Sequence, residues 1–501
     1  MTRRNDTQQL TQRIEAAVAA PATDDAFDID AAFTEVLEGI GIAPEDTGGK
    51  VTFLGADPVV PSPLRLGGAA AIALAAKSAA IAKLWRLRSG EGQDITVDLR
   101  SAPHRLCPFY DRKWELLNGY PPASSSNVSN ALAFSFYPTA DGRWVMPLNP
   151  YPGIKNAAMK LLGTPDDTAA VARAIAGWNA DDLEKAAVEA GVVMPVLRSP
   201  LEMLDEPQYR DHLAHMPLVQ IEKIGDSPAQ PLPAEGDQPL SGVRALGMGH
   251  VIAGAGAGRA LALHGADALN IWRPNEHEHD STYTTANVGV RSATVDPRSD
   301  EGAARLRALL AQADVFYANR RPGYLESIGL GPEQAAEVRP GIIHASATLN
   351  GPTGPWADRV GFDQTAGSVV GMMNLEGDGE RPGLPPILVV NDYIVSWLMA
   401  AGVSEALARR AREGGSYRVH VSLTRAALWI LSLGIFDKAY AKETAGTGEQ
   451  HAYLDPETFT DETPLGTYQG VTDQVTMSAT PGRYPFTLVP RGSSKPEWLK
   501  G

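Results

Sequence analysis

Between residues 243 and 348, short runs of strand character alternate with helical ones. "GVRALGM" leads through "GAGAGRALALHG" to "ADALNIW", then "ARLRALLAQA" to "DVFYAN", and "EQAAEVRP" to "GIIHASA". Strands separated each time by a helix cannot pair as hairpins, so they lie side by side in a parallel sheet covered by helices. The fold class that follows is α/β, a Rossmann-like parallel sheet forming a large domain. At 501 residues the chain has room for further domains and for a core that needs no disulfides.

The remaining segments arrange themselves around that sheet. Residues 1–50 read as an N-terminal helical segment, with a surface helix over the first twenty residues and a second helix near 28–40. Residues 51–104 hold a Pro/Gly-rich passage, the Ala-rich helix "AAAIALAAKSAAIAKLW" and the alternating strand "DITVDL". Residues 105–225 read as a smaller α+β domain. It contains a hairpin turning at Asp141-Gly142, where glycine relieves the steric cost of a positive φ. Residues 226–240, "DSPAQPLPAEGDQPL", are a Pro-rich linker, 241–440 are the large domain, and 441–501 form a polar, turn-rich tail that wraps another surface. Laid without gaps over 391–426, residues 67–102 repeat the order of apolar helix, glycine turn, strand ("TVDL" against "HVSL") and Ala, which marks 51–104 as a partial repeat. That alignment sets Gly68 opposite Asp392.

Composition narrows the function classes. The formal net charge of −15 and the lack of a Lys/Arg stripe argue against nucleic acid. The Ala-rich helix is interrupted by Lys77 and Lys83 and is expected to fall short of the roughly 20 apolar residues of a membrane span. The first twenty residues lack the apolar core of a secretory signal. Cys107 is the single cysteine, so no internal disulfide forms and a reducing, cytoplasmic location is expected.

Several residues could carry chemistry. Gly254, Gly256 and Gly258 open a helix after a strand, as in a dinucleotide loop, but the second strand ends in Trp272-Arg273 rather than an acid. An arginine there suits a phosphate-bearing nucleotide, or is an ordinary exposed Arg. In "NEHEHD", His277 and His279 alternate with acids but have no third ligand nearby, so a charged loop is the simpler reading and no metal is expected. His104 could activate Cys107, against the simpler reading of a buried, inert thiol. Asp392 stands where an extended run meets a helix in "VVNDYIVSWLMAAGV". It reads as an N-cap, or as a nucleophile that the amides and dipole of the helix terminus keep ionised.

The long blocks "GVRALGMGHVIAGAGAGRALALHGADALNIWRP", "ADVFYANRRPGYLESIGLGPEQAAEVRPGIIHASATLNGPTGPWADRVGFDQTAG" and "NDYIVSWLMAAGVSEALARRAREGGSYRVHVSL" resemble the family III CoA-transferases. This group includes formyl-CoA and carnitine CoA-transferases and the related α-methylacyl-CoA racemases. "YPTADGRWV" and "AGVVMPVLRSPLEMLDEPQYRDHLAHMPLV" resemble the family's small domain, here placed before the large one, so the order looks permuted or derived from a fusion. The resemblance implies coenzyme A, carried as acyl-CoA, as the bound substrate, a carboxylic acid as its partner, and a homodimer. Asp392 falls on the family's catalytic aspartate and Asp363, in "GFDQ", on an acidic position near the active centre. His250, Val251 and Ala253 fall in the CoA-contacting loop, and Arg273 on a CoA-contacting arginine.

Ile252 replaces a glutamine of the formyl-CoA transferases and Ser327 one of their CoA-binding arginines, and no glycine run matches their lid, which weighs against oxalate or formate. Phe362 stands where racemases carry a proton-transferring histidine. The expected activity is transfer of CoA from an acyl-CoA to an acid through an aspartyl-CoA thioester. The alternatives are an acyl-CoA racemase, epimerase or isomerase, and a non-catalytic CoA-binding protein.

Overall fold

The computed structural model describes residues 2–122, 131–233 and 235–499, so parts of the 105–225 and 226–240 segments, residues 123–130 and 234, lie outside the described residues. Among the described residues, seven strands form the main sheet. In spatial order they are Gln220–Gly225, Ser416–Ser422, Ile343–Thr348, Val315–Ala318, Arg244–Met248, Asp267–Trp272 and Arg291–Thr294. All neighbours are parallel except the first pair, where Gln220–Gly225 adds an antiparallel edge. This edge strand comes from the end of the segment that the sequence assigns to the small domain.

The chain starts at Arg244–Met248, winds outward through two strands, then crosses to Val315–Ala318 and winds the other way. This doubly-wound order leaves a crevice at the carboxyl ends of Arg244–Met248 and Val315–Ala318, where the connections diverge. Central strands are buried on both faces, and Val315–Ala318 is buried at every position, which explains its unbroken apolar sequence.

Four helices position the site: α1 (Leu66–Ser89), α2 (Ala253–Leu263), α3 (Asp363–Val370) and α4 (Asn391–Glu413). α1 and α4 pack along one another in the centre of the molecule. α1 runs to 24 residues and is, by length and composition, apolar enough to cross a membrane, contrary to the sequence expectation that it falls short. It is instead a core helix, with 94% of its apolar window buried. Lys77, fully buried at its middle, is ion-paired with Asp473 from the C-terminal tail. That pairing makes an ammonium tolerable in the core.

The same unit of parallel strand, helix and strand occurs twice. Val51–Leu54 and Ile95–Asp98 pair in parallel around α1, as Ile343–Thr348 and Ser416–Ser422 do around α4. Both helices begin without a capping side chain of their own. Each receives a carboxylate from elsewhere. Asp57 accepts from the amides of Gly67 at 3.1 Å and Gly68 at 2.6 Å, and Asp363 accepts from those of Asn391 and Asp392.

The smaller domain has its own core, in which Val171 and Ile175 from the helix Thr168–Ile175 and Leu183 from the helix Ala180–Glu189 close over the hairpin Tyr137–Pro138/Trp144–Val145. The tail returns across the molecule. Val475–Met477 extends the sheet of Ile95–Asp98, and Trp498 packs into the outer face of the large domain.

Free amides at the start of a buried helix must find acceptors, so Asp57 carries a share of the stability of the N-terminal half. Asp57→Ala is expected to destabilise the protein by about 1–3 kcal/mol, measured as a lower denaturant midpoint with an unchanged slope.

Candidate active site

At the crevice of the sheet, the turn after Arg244–Met248 carries Val251 at φ 58°, a backbone conformation a β-branched residue adopts only under constraint. The strain, of order 1–3 kcal/mol, is held by hydrogen bonds on every side. Asn319 accepts from the His250 amide and donates to its carbonyl, both at 2.8 Å. Asn270 does the same for Gly249, at 2.8 and 3.0 Å. The Val251 amide donates to Glu278 Oε2 at 2.8 Å. The loop is therefore fixed before any ligand arrives.

This loop borders a cavity of about 700 Å³. His250, Val251, Ala253, Arg273 and Asp392 all line it, although Asp392 is separated from the others by more than a hundred residues of chain. Asp363, the remaining candidate, does not line the cavity but lies behind Asp392.

The N-cap reading of Asp392 is corrected by its surroundings. Val390 is the N-cap residue of α4, and the capping oxygens come from Asp363 at the start of α3. Its carboxylate accepts from the amides of Val390 (3.1 Å), Asn391 and Asp392 (2.8 Å). With those donors taken, the Asp392 carboxyl makes no hydrogen bond to any described residue and faces the cavity from a residue only 6% exposed.

Burial at the cavity wall works against the expectation that the helix terminus keeps Asp392 ionised. Burial pushes its pKa well above the usual carboxylate range, and the nearby Asp363 charge pushes it in the same direction. Burial also raises Asp363, but only to about 6, because the three amides favour its charged form. Two carboxyls this close share charge, and the one with the amides keeps it.

The glycines of α2 serve packing rather than a phosphate. A methyl group on Gly256 would sit 2.6 Å from Ser396 Oγ on α4, and Gly254 and Gly258 abut Asn319 and Tyr317. They let α2 lie directly against α4 and the sheet.

Charge around the cavity is uneven. Arg273 pairs with Glu276 at 2.7 Å, and Arg320 pairs with the same carboxylate. Burial would raise Glu276, yet the two guanidinium groups outweigh it and hold the carboxyl at about 2. Arg359 pairs with Glu184 at 3.1 Å. Arg321, also in the wall, has no acidic partner among the described residues. In "NEHEHD", Glu276 and Glu278 anchor arginines and backbone, and no group of three or more metal-ligating side chains occurs among the described residues. His104 stacks on Tyr453 at 4.2 Å with its Nε2 against the Leu454 carbonyl, and burial pushes the Cys107 thiol up.

Tyr151, Glu278, Arg320 and Arg321 escaped the sequence reading as site residues. Tyr151 reaches in from the small domain, donates to Glu278 Oε1 at 2.8 Å and stacks on Phe362 with ring centroids 5.8 Å apart. Nothing local in "NPYPGI" signals this. The two arginines did have a signal, since "NRRPG" directly follows a strand of the parallel sheet, where ligand-binding loops gather.

Residues 240–480 match the family described as CoA-transferase family III. The chain is similar to the alpha subunit of succinyl-CoA–L-malate CoA-transferase from Chloroflexus aurantiacus, 32% identical over 228 residues, covering 42% of this chain and 53% of that one. It is also similar to human succinyl-CoA:glutarate CoA-transferase, 28% identical over 207 residues, covering 39% and 47%. The crystal structure of a CAIB/BAIF family protein from Brucella suis is 25% identical, covers 46% of this chain and 65% of its own, and superposes with a TM-score of 0.37. The chain spans about half the length of the curated relatives it matches. The matched region begins just before the first strand of the doubly-wound sheet and contains α2, α3 and α4 with Asp363 and Asp392, so the candidate site lies within the stretch that matches the CoA-transferase family III description.

Proposed function

We propose that this protein transfers CoA from an acyl-CoA to a carboxylic acid, with Asp392 as the nucleophile. The observation that carries the proposal is the division of labour at the start of α4. Asp363 takes the helix amides, so the Asp392 carboxyl is left unbonded at the wall of a large cavity whose arginines suit phosphate and carboxylate groups.

In the proposed sequence the Asp392 carboxylate attacks the thioester carbonyl and expels CoA thiolate, leaving a mixed anhydride. The thiolate attacks the aspartyl carbonyl, giving an aspartyl-CoA thioester and releasing the donor acid. The acceptor carboxylate then attacks this thioester, and returning thiolate forms the new acyl-CoA and regenerates Asp392. Thioester energy is conserved through every step, so no nucleotide hydrolysis is needed. Asp363 is a positioning residue, holding the helix start and, through its charge, the acidity of Asp392. The turn at His250 and Val251, with Ala253 and Arg273, forms the CoA-binding side of the cavity. Phe362 stacks on Tyr151 and cannot carry a proton, which supports transfer over racemisation.

Incubation with acetyl-CoA and hydroxylamine is expected to convert Asp392 to its hydroxamate, detected by peptide mass spectrometry. Asp392→Ala is expected to lower turnover by at least about 10³-fold. An unlabelled Asp392, or a variant of undiminished rate, would sink the proposal. The equivalent place on α1 is Gly68, whose Cβ position lies 3.2 Å from Asp57 Oδ2, so one CoA per chain is expected by isothermal titration.

The pH dependence follows from the raised pKa of Asp392. Only the ionised Asp392 attacks, so kcat/KM at fixed acyl-CoA is expected to rise with pH through a midpoint above the ordinary carboxylate range. Asp363→Asn keeps an oxygen for the amides but removes the neighbouring charge. It is therefore expected to move that midpoint to lower pH, whereas a shift upward or none would show that the charge of Asp363 does not govern Asp392.

A further inference from the structure

Beside the main cavity lies a second chamber of about 290 Å³, between the small domain and the sheet. The two share walls at Val193, Arg321, Leu349 and Arg359. Ala187, Val188 and Val192 line the chamber from the small domain, and Trp356, Val360 and Val369 line it from the large domain. Trp356 is held rigidly, with the Arg359 and Arg198 guanidinium groups 4.3 and 4.9 Å from its ring centroid.

The ionic groups around the chamber are unequal. Glu184 is bound by Arg198 at 2.9 Å and by Arg359 at 3.1 Å, so neither its charge nor that of Arg359 is free. Asp358 lies exposed in the same wall. Arg321, where the two spaces meet, is the one arginine of the wall with no acidic partner among the described residues. An unpaired guanidinium at the mouth of an apolar chamber suits a molecule with one anionic end and an apolar body. A second carboxylate inside would meet Asp358 and a mostly apolar wall in which Asn350, Thr365 and Arg359 already bond to other protein groups, and would lose hydration without gaining a free cation.

Building on the transferase reading, we propose that the acid exchanged by this protein is an apolar monocarboxylate. Its body occupies the 290 Å³ chamber and its carboxyl lies in the main cavity near Arg321. At about 30 Å³ per non-hydrogen atom, the share of one liquid water, the chamber takes a body of up to about ten such atoms. Arg321 and the chamber wall are then the specificity determinants of the site, while Asp392 carries out the transfer.

Isothermal titration of the whole chain with phenylacetate, acetate and succinate, with and without saturating CoA, tests this independently of turnover. Phenylacetate is expected to bind at least tenfold more tightly than acetate or succinate. Val188, 43% exposed, tolerates a larger side chain, and Val188→Trp fills the chamber. It is expected to reduce the phenylacetate-to-acetate ratio at least tenfold, while Arg321→Gln weakens both monocarboxylates at least tenfold. Equal affinity for the three acids, or a ratio untouched by Val188→Trp, overturns the chamber assignment, and unchanged affinity in Arg321→Gln overturns the role of that arginine. The same acids are then offered as acceptors with acetyl-CoA as donor. Selective binding with no CoA transfer to any acid would defeat the transferase reading and leave the chamber standing. Transfer to succinate in preference to phenylacetate would defeat the chamber and leave the transferase standing.

Discussion

The carboxylate of Asp363, bound to the first amides of α4, is the interaction on which the site depends. A buried helix terminus leaves several N–H groups without partners, and an acceptor must be supplied from somewhere. Had Asp392 supplied it, its oxygens would have been turned into the helix start and lost to the cavity. Because Asp363 reaches across from α3, Asp392 keeps a carboxyl with no hydrogen bond to the described residues. The cost is electrostatic, since two buried acids now lie side by side, and the one without amide donors is pushed toward its protonated form.

The N-terminal half shows the same device without the chemistry. Asp57 caps α1 as Asp363 caps α4, but Gly68 stands at the place of Asp392 and Phe27 packs close to it. Capping from a distance is thus a feature of the helix-strand unit, and the acid at the second helical position is an addition to it. Around the start of α4, the polar groups hold the cavity wall in a fixed geometry. Asparagines pin the strained turn at Val251, and a single glutamate draws Arg273 and Arg320 to one side. The small domain contributes Tyr151, whose bond to Glu278 ties that domain to the same turn.

Much of the fold was legible from pattern. Alternating strands and helices over 243–348 implied the parallel sheet, and the strands at Asp267–Trp272 and Ile343–Thr348 lie where their apolar runs predicted. The glycines of α2 were legible as small residues but not in purpose, because phosphate approach and helix packing ask for the same missing Cβ. The length of α1 was underestimated because Lys77 reads as an interruption, and only its buried partner Asp473, almost four hundred residues later, explains how it is tolerated.

The sequence by itself determined the parallel α/β architecture, the place of an acid at the start of α4 and the residues of the turn at 249–253, since periodicity and local backbone demands act over a few residues. Tertiary structure alone decided which acid caps and which is free, that Glu276 pairs with both Arg273 and Arg320 while Arg321 has no acidic partner among the described residues, and that Tyr151 enters the site. Those outcomes rest on burial and on charges a few ångströms apart in space, and the free energy of a buried carboxylate is set by neighbours drawn from distant parts of the chain.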